Sequence, residues 1–260
     1  MYEYVALNER KSSFEQLPSE ALLLDGVPLE EQLDGYRTLS VSGREMMKQD
    51  IETVRRTGNG SIFLRSSYPS RVITVRYELK ATDNAQFREL YNRLNKLLKG
   101  SQRELRFVDE PEFAFYGTLS DASDVPPGVN TVIGDFSFFC ADPFKYANKR
   151  TLTGTNTITF AIDDTYQTLP DTITVTPNAS TATITVQTGD KEIKLVQGSF
   201  LANKPVTFDF IQQAVWNENG DMMEKLALSS DFEEFYIQSG TPITFVQGGN
   251  ISVTVREVAL

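Results

Sequence analysis

The sequence predicts a mostly β protein of two domains. The first is an α+β unit over residues 1–146, with one long helix packed on a sheet, and the second is an antiparallel β-sandwich over residues 147–260. Three observations carry this. Ile73, Val75, Tyr77 and Leu79 alternate with Thr74, Arg76 and Glu78, the period of two of a half-buried strand. Residues 83–100 repeat their apolar side chains at helical spacing instead. Beyond Ile158, short runs alternate apolar residues with threonine and break at turn signals roughly every ten residues.

Taken in order, residues 22–29 read as a strand, a tight Asp25-Gly26 turn and a restart. Residues 39–43 are a second short strand. Residues 44–70 carry charges of both signs and too few apolar side chains to fill a core, so they read as a projecting loop or hairpin arm around the flexible Gly58-Asn59-Gly60 turn. The strand over 73–79 follows. Asp83 and Gln86 then fit a capping box, and Phe87, Leu90, Leu94, Leu97 and Leu98 fall on one helical face. Lys96 and Lys99 suit the negative end of that helix, and Gly100 suits its termination. Strands are expected at 104–108, 113–119 and 131–140. Asp109-Glu110-Pro111 is the turn between the first two, with the proline breaking the ladder, and residues 124–128 form a rigid loop. The pattern of the first domain ends near Phe144, and residues 145–154 read as a linker.

The second domain is read from the alternations around Ile158, Ile173, Ile184, Ile193, Val206, Ile243 and Ile251. Turns fall at Pro177-Asn178, Gly189-Asp190, Asn219-Gly220 and Gly248-Gly249-Asn250. Residues 222–228 fit a strand or a short turn equally well.

Composition narrows the chemistry. The chain has no histidine, so the commonest neutral-pH general base and metal ligand is missing. The one cysteine, Cys140, allows neither an internal disulfide nor a cysteine zinc cluster, and fits a small buried apolar role. Net charge is −10, and residues 151–260 hold 5 Lys and Arg against 13 Asp and Glu. Such a chain is poorly suited to specific nucleic-acid binding, where phosphate neutralisation supplies most of the affinity. No run approaches the roughly 20 apolar residues of a membrane span, and residues 1–10 lack the pattern of a signal peptide.

Residues 71–146 carry a resemblance. An alternating strand ends in Tyr77-Glu78-Leu79, and the helix has Phe87-Arg88 near its start. Leu105-Arg106-Phe107-Val108-Asp109-Glu110-Pro111 and Tyr116-Gly117 come next. Then Phe136-Ser137-Phe138-Phe139-Cys140 runs into Ala141-Asp142-Pro143-Phe144. This resembles the phage tail component family, in particular the distal tail proteins of siphophages that infect Gram-positive bacteria. Residues 38–52 resemble that family's N-terminal region, and residues 247–256 resemble its closing turn and strand. The resemblance implies a homohexameric ring, formed by the N-terminal domains around a channel at the tail tip. It also implies a galectin-like C-terminal sandwich carried outside the ring. The implied partners are further copies of the chain, the tail tube protein, a tail-associated hub protein, and receptor-binding or baseplate proteins. The implied location is the virion tail tip, after assembly in the host bacterial cytoplasm.

Weighed individually, the polar candidates offer little chemistry, and no catalytic, cofactor or metal residues are expected. Asp209, Glu218, Asp221, Glu233 and Glu234 could supply a glycosidase pair, but read better as surface solvation. Asp163-Asp164 lacks the ligand spacing of calcium loops and reads as a turn. Arg55-Arg56 sits beside Asp50 and Glu52 and makes no basic patch, so the arm is better suited to an intersubunit contact. Trp216, Phe235 and Tyr236 are aromatic platforms in principle, which keeps open the alternative of a carbohydrate-binding or adhesion module.

Overall fold

A computed structural model describes residues 17–125 and 128–260. Residues 1–10, read above as free of a signal peptide, and Pro126-Pro127 of the expected rigid loop lie outside the described residues. The chain divides into two compact units at Lys145/Tyr146. Among the described residues no helix is long and apolar enough to cross a membrane.

The first unit opens with β1 (Leu22–Leu24) and β2 (Val27–Pro28), joined by Asp25 and Gly26, both at positive φ. The short helix α1 (Leu29–Gln32) leads to β3 (Tyr36–Ser42). Next come β4 (Asp50–Arg55), β5 (Ser61–Ser67) and β6 (Arg71–Lys80), then the long helix α2 (Asn84–Leu98). The unit closes with β7 (Arg103–Phe107), β8 (Glu110–Ala122) and β9 (Thr131–Cys140). Seven of these strands follow one another in the order β2-β1-β7-β8-β9-β6-β3, and among the described residues β4 and β5 pair only with each other.

The alternation read in the sequence sets this packing. Ile73, Val75, Tyr77 and Leu79 are buried, as are Phe136 and Phe138 on the neighbouring strand, and all share one core with Phe87, Leu90, Leu94 and Leu98 of α2. Aromatic rings link three strands: Tyr36 stacks on Tyr77 at 5.7 Å, and Phe136 lies 5.4 Å from Tyr77 and 5.8 Å from Phe138. Each such pair adds about 0.5–1.5 kcal/mol beyond its area burial.

The start of α2 departs from the expected box in one detail. Asp83 accepts the Gln86 N–H at 2.9 Å as a cap should. The Gln86 side chain instead accepts the N–H and the hydroxyl of Thr82, each at 2.7 Å, one residue before the cap. At the far end, Arg103 donates to the carbonyls of Leu97 and Lys99, filling acceptors that the helix leaves open.

Pro111 also corrects its reading, because it lies inside β8 rather than breaking the ladder. The β7–β8 register slips between Leu105 and Phe107, and a residue lacking an N–H is tolerated at such an irregular strand start. The proline's carbonyl accepts from Arg106.

Residues 145–154 are not a linker. β10 (Lys145–Ala147) and β11 (Arg150–Thr155) occupy them, and β11 pairs with six residues at the end of the chain. The basic residues at the front hid a Thr151-Leu152-Thr153 alternation.

The second unit continues with β12 (Thr157–Thr159), β13 (Pro170–Pro177), β14 (Ile184–Thr188), β15 (Lys191–Leu195) and β16 (Val206–Asp209). It ends with β17 (Ala214–Asn217), β18 (Gly220–Asp221), β19 (Pro242–Phe245), β20 (Gly249–Val255) and β21 (Val258–Ala259). Two antiparallel sheets result, β11-β20-β13-β16-β17-β18 and β12-β19-β14-β15. Ile173, Val175, Phe208 and Val253 from the first sheet meet Ile184, Val186, Ile193 and Phe245 from the second in one buried core. That is the sandwich the alternations predicted. The segment left open at 222–228 holds a short 3₁₀ turn, Met223–Lys225.

Candidate assembly surface

The arm begins where β3 must leave the sheet. Gly43 turns it out at φ +91°, and a Cβ there would lie 2.0 Å from the Val72 carbonyl oxygen, so only glycine fits. Arg71 secures the root. It is 2% exposed and occupies the same inward parity on β6 as Ile73. Its Nε donates to the Pro143 carbonyl at 2.9 Å, and Nη1 donates to the carbonyls of Gly43 at 2.9 Å and Glu45 at 3.3 Å. The guanidinium lies over the Phe115 ring at 5.1 Å. Burial lowers its pKa from the ordinary arginine value. The sequence reading missed Arg71 because it counted only apolar members of the alternation. Its shared parity with Ile73 was the available signal.

Beside the root lies a cleft of about 350 Å³ lined by Glu20, Val41, Arg44, Glu45, Asp109 and Glu110. Arg44 grips Asp109 through two bonds of 2.8 Å, lies 3.5 Å from Glu20 and stacks over Phe107 at 4.3 Å. Lys145 pairs with Glu110. The acidic Asp109-Glu110 step is thus tied to two cations and anchors structure.

The arm itself is a two-stranded ribbon whose residues are all exposed. Ile51 pairs across to Ser66, Glu52 to Arg65, Thr53 to Phe63 and Val54 to Ile62, with an irregularity after Glu52 that leaves Leu64 without an opposite residue. Strand alternation places Ile51 and Phe63 on one face, and Val54 and Ile62 on the other. Ile51 is 64% exposed, Phe63 60% and Leu64 51%, and Met46 before the ribbon is also exposed. The Arg65–Glu52 pair at 2.5 Å is open to water and contributes little. Arg55 and Arg56 sit at the exposed tip, apart from any basic patch. A lone two-stranded ribbon is marginal in water, and apolar side chains on both of its faces call for cover. A further exposed apolar pair lies on the outer face of the sheet, where Val72 opposes Phe139.

The remaining candidates do not converge on chemistry. Asp209 caps the Gln212 N–H, and Asp221 caps the Met223 N–H. Glu218 pairs with Lys204 at 2.7 Å, Glu234 pairs with Lys191 at 2.8 Å, and Glu233 is exposed. Asp163 accepts from the backbone and hydroxyl of Thr165, which lower its pKa, and Asp164 accepts from Ser239. Among the described residues no group of three or more His, Cys, Asp or Glu side chains could hold a metal ion. Cys140 is fully buried, and burial pushes its thiol up to about 11.

Of the three aromatic candidates, Phe235 is fully buried and lies 6.0 Å from Phe210, and Tyr236 is half-buried. Trp216 follows the buried Val215 on β17 and therefore points outward. It stands in a cross-strand row of Thr153, Ser252, Thr174, Thr207 and Trp216 that Asp221 of β18 continues. Part of that face forms an open groove of about 410 Å³.

Comparison with known proteins fits this architecture. The family described as a phage tail protein RIFT-related domain matches residues 29–162, and the siphovirus-type tail component C-terminal domain matches residues 163–257. The crystal structure of the Dit protein of phage SPP1, titled a paradigm of the hub adsorption apparatus in phages infecting Gram-positive bacteria, is 20% identical to the chain. The alignment covers 92% of this chain and 99% of that one, with a TM-score of 0.76. A chain of the phage P2 baseplate in its activated conformation with calcium is 9% identical, over 86% of this chain and 91% of that one, with a TM-score of 0.54. No curated protein sequence matches the chain.

Proposed function

Because the chain belongs to the siphovirus-type phage tail protein family, a structural rather than enzymatic one, we propose that it forms a homohexameric ring at the tail tip. The ring joins the tail tube to the baseplate or adhesion device and docks the receptor-binding parts. A role in the tail or baseplate follows from the family. The ring, its six copies and its neighbours are the proposal. The observation that carries it is the β4–β5 arm, which has apolar side chains on both faces and nothing within its own ribbon to bury them against. A neighbouring copy supplies that cover, and a head-to-tail contact of this kind closes into a ring when its rotation allows. We assign the ring to the first unit; a galectin-like fold for the sandwich is what the family resemblance implies. The tail tube and a hub protein occupy the axis.

Mass measurement by light scattering and negative-stain microscopy test this together. Expected are a six-copy species and six-fold rings, with interfaces of roughly 2,000 Å² each. Ile51→Ser with Phe63→Ser should leave the chain folded and break the ring. A chain that stays monomeric at tens of micromolar, alone and with its tail partners, would sink the reading.

One observation supports a second reading as a carbohydrate-contact surface, namely the outward Trp216 between a row of hydroxyls and Asp221. The chain has a single tryptophan, so its fluorescence reports that surface alone. An emission spectrum unchanged across a panel of neutral oligosaccharides would dispose of this reading.

A further inference from the structure

Among the described residues β3 is an edge strand, paired on one side with β6 and on the other with nothing in its sheet. Such an edge normally presents a row of free N–H groups, a ready template for another strand. Here each N–H on the open side already has an acceptor. Tyr36 donates to the Leu33 carbonyl at 3.2 Å. Thr38 donates to Glu30 Oε1 at 2.8 Å, Val41 to Glu20 Oε2 at 2.9 Å, and Gly43 to Glu45 Oε2 at 2.7 Å. The three glutamates come from three places: the turn before β1, helix α1 and the start of the arm. Arg44 lies 3.5 Å from the other oxygen of Glu20 and fixes that side chain. Among the described residues the second oxygen of Glu30 is buried without a partner, a cost that its bond to Thr38 must offset.

Ordinary edge protection uses lysines, prolines or bulges pointed at an incoming strand. Carboxylates bonded to successive edge amides do more, because they occupy the donors that a strand would need. A strand adding to β3 would have to break three charge-assisted bonds, and would bring its own carbonyls against three carboxylates.

We propose that Glu20, Glu30 and Glu45 form an autoinhibitory lock on the β3 edge, which keeps the free chain from associating by strand addition there. The lock concerns what the free chain is prevented from doing. It stands whether or not the ring forms.

The test uses the full chain and two triple variants. Glu20→Gln/Glu30→Gln/Glu45→Gln keeps an acceptor oxygen at each position, whereas Glu20→Ala/Glu30→Ala/Glu45→Ala removes it. Hydrogen exchange should show the amides of Thr38, Val41 and Gly43 protected in the unaltered chain, and opened by about tenfold or more in the alanine variant. At equal concentration, light scattering should show the alanine variant gaining species larger than the unaltered chain forms, while the glutamine variant does not. Equal masses for the alanine variant and the unaltered chain would overturn the lock. So would association by the glutamine variant as strong as that of the alanine variant, because charge loss alone would then be responsible. If the alanine triple loses its native circular dichroism, Glu45→Ala alone is read the same way at Gly43, where the contact is exposed. The mass of the unaltered chain tests the ring separately.

Discussion

Arg71 donates to the carbonyl of Gly43 at 2.9 Å, and so ties the residue that leaves the sheet for the arm to the strand that re-enters it. The two positions are 28 residues apart in sequence. With its bonds to Glu45 and Pro143, this one buried side chain ties two other stretches of backbone to its own strand. Arg71→Ala should cost about 2–4 kcal/mol, since one buried and two part-buried carbonyls lose their donor. Arg71→Lys should recover only part of this, because an ammonium cannot span the same fork. Chemical denaturation of the three proteins checks the order.

Phe138 is fully buried in β9 and meets Phe136 edge-on at 90°. Phe138→Ala should destabilise by roughly 3–5 kcal/mol, and Phe138→Leu by clearly less. Thermal unfolding followed by circular dichroism gives both values.

Cys140 gives a pH dependence with a definite sign. Burial raises its thiol from 9.0 to about 11 in the folded chain. The unfolded chain therefore releases this proton first as pH rises. The contribution is complete below about pH 9 and is lost by about pH 11. Tyr77, pushed up to about 12, and Tyr36, raised as well, extend the decline. Cys140→Ala should flatten the first part of the curve. In the native chain at pH 8 the thiol should react with a disulfide reagent only at the rate of unfolding.

Asp83 works in the opposite direction. The Gln86 N–H, and then that of Ala85, hold its carboxylate below the usual range. Its stabilisation is present above the unfolded pKa and lost as pH falls through the lowered one. Asp83→Ala should lower the melting temperature at pH 7 and make little difference at pH 2. Asp83→Asn should lie between the two at pH 7.

Much of the fold is legible in the sequence because it depends on period. Helix α2 begins one residue after Asp83, and β9 spans residues 131–140 as its alternation predicts. The arm is legible from what it lacks, as its apolar residues are too few and too evenly spread to close a core. The segment 145–154 failed because charged residues at its front masked the threonine alternation. The lock on β3 could not have been read at all. Glu30 meets Thr38 eight residues away and Glu20 meets Val41 twenty-one away, and neither spacing follows any repeat of strand or helix. Arg71 lies between these cases: its parity was visible, while its three carbonyl partners depended on where the chain folded back.

The arm leaves β3 just after Ser42 and returns at β6, where Ser42 already faces Thr74. The two ends of this excursion are therefore joined by the sheet itself, whatever lies between them. Lengthening a loop with fixed ends is cheap, about 0.6 kcal/mol for each doubling. Natural variation can shorten, extend or replace the ribbon beyond Glu45 while the Gly43–Arg71 clasp and the strand register stay as they are. The first unit thus has the layout of a fixed socket with an exchangeable finger, and the reach of that finger can diverge from one virus to the next without a new fold.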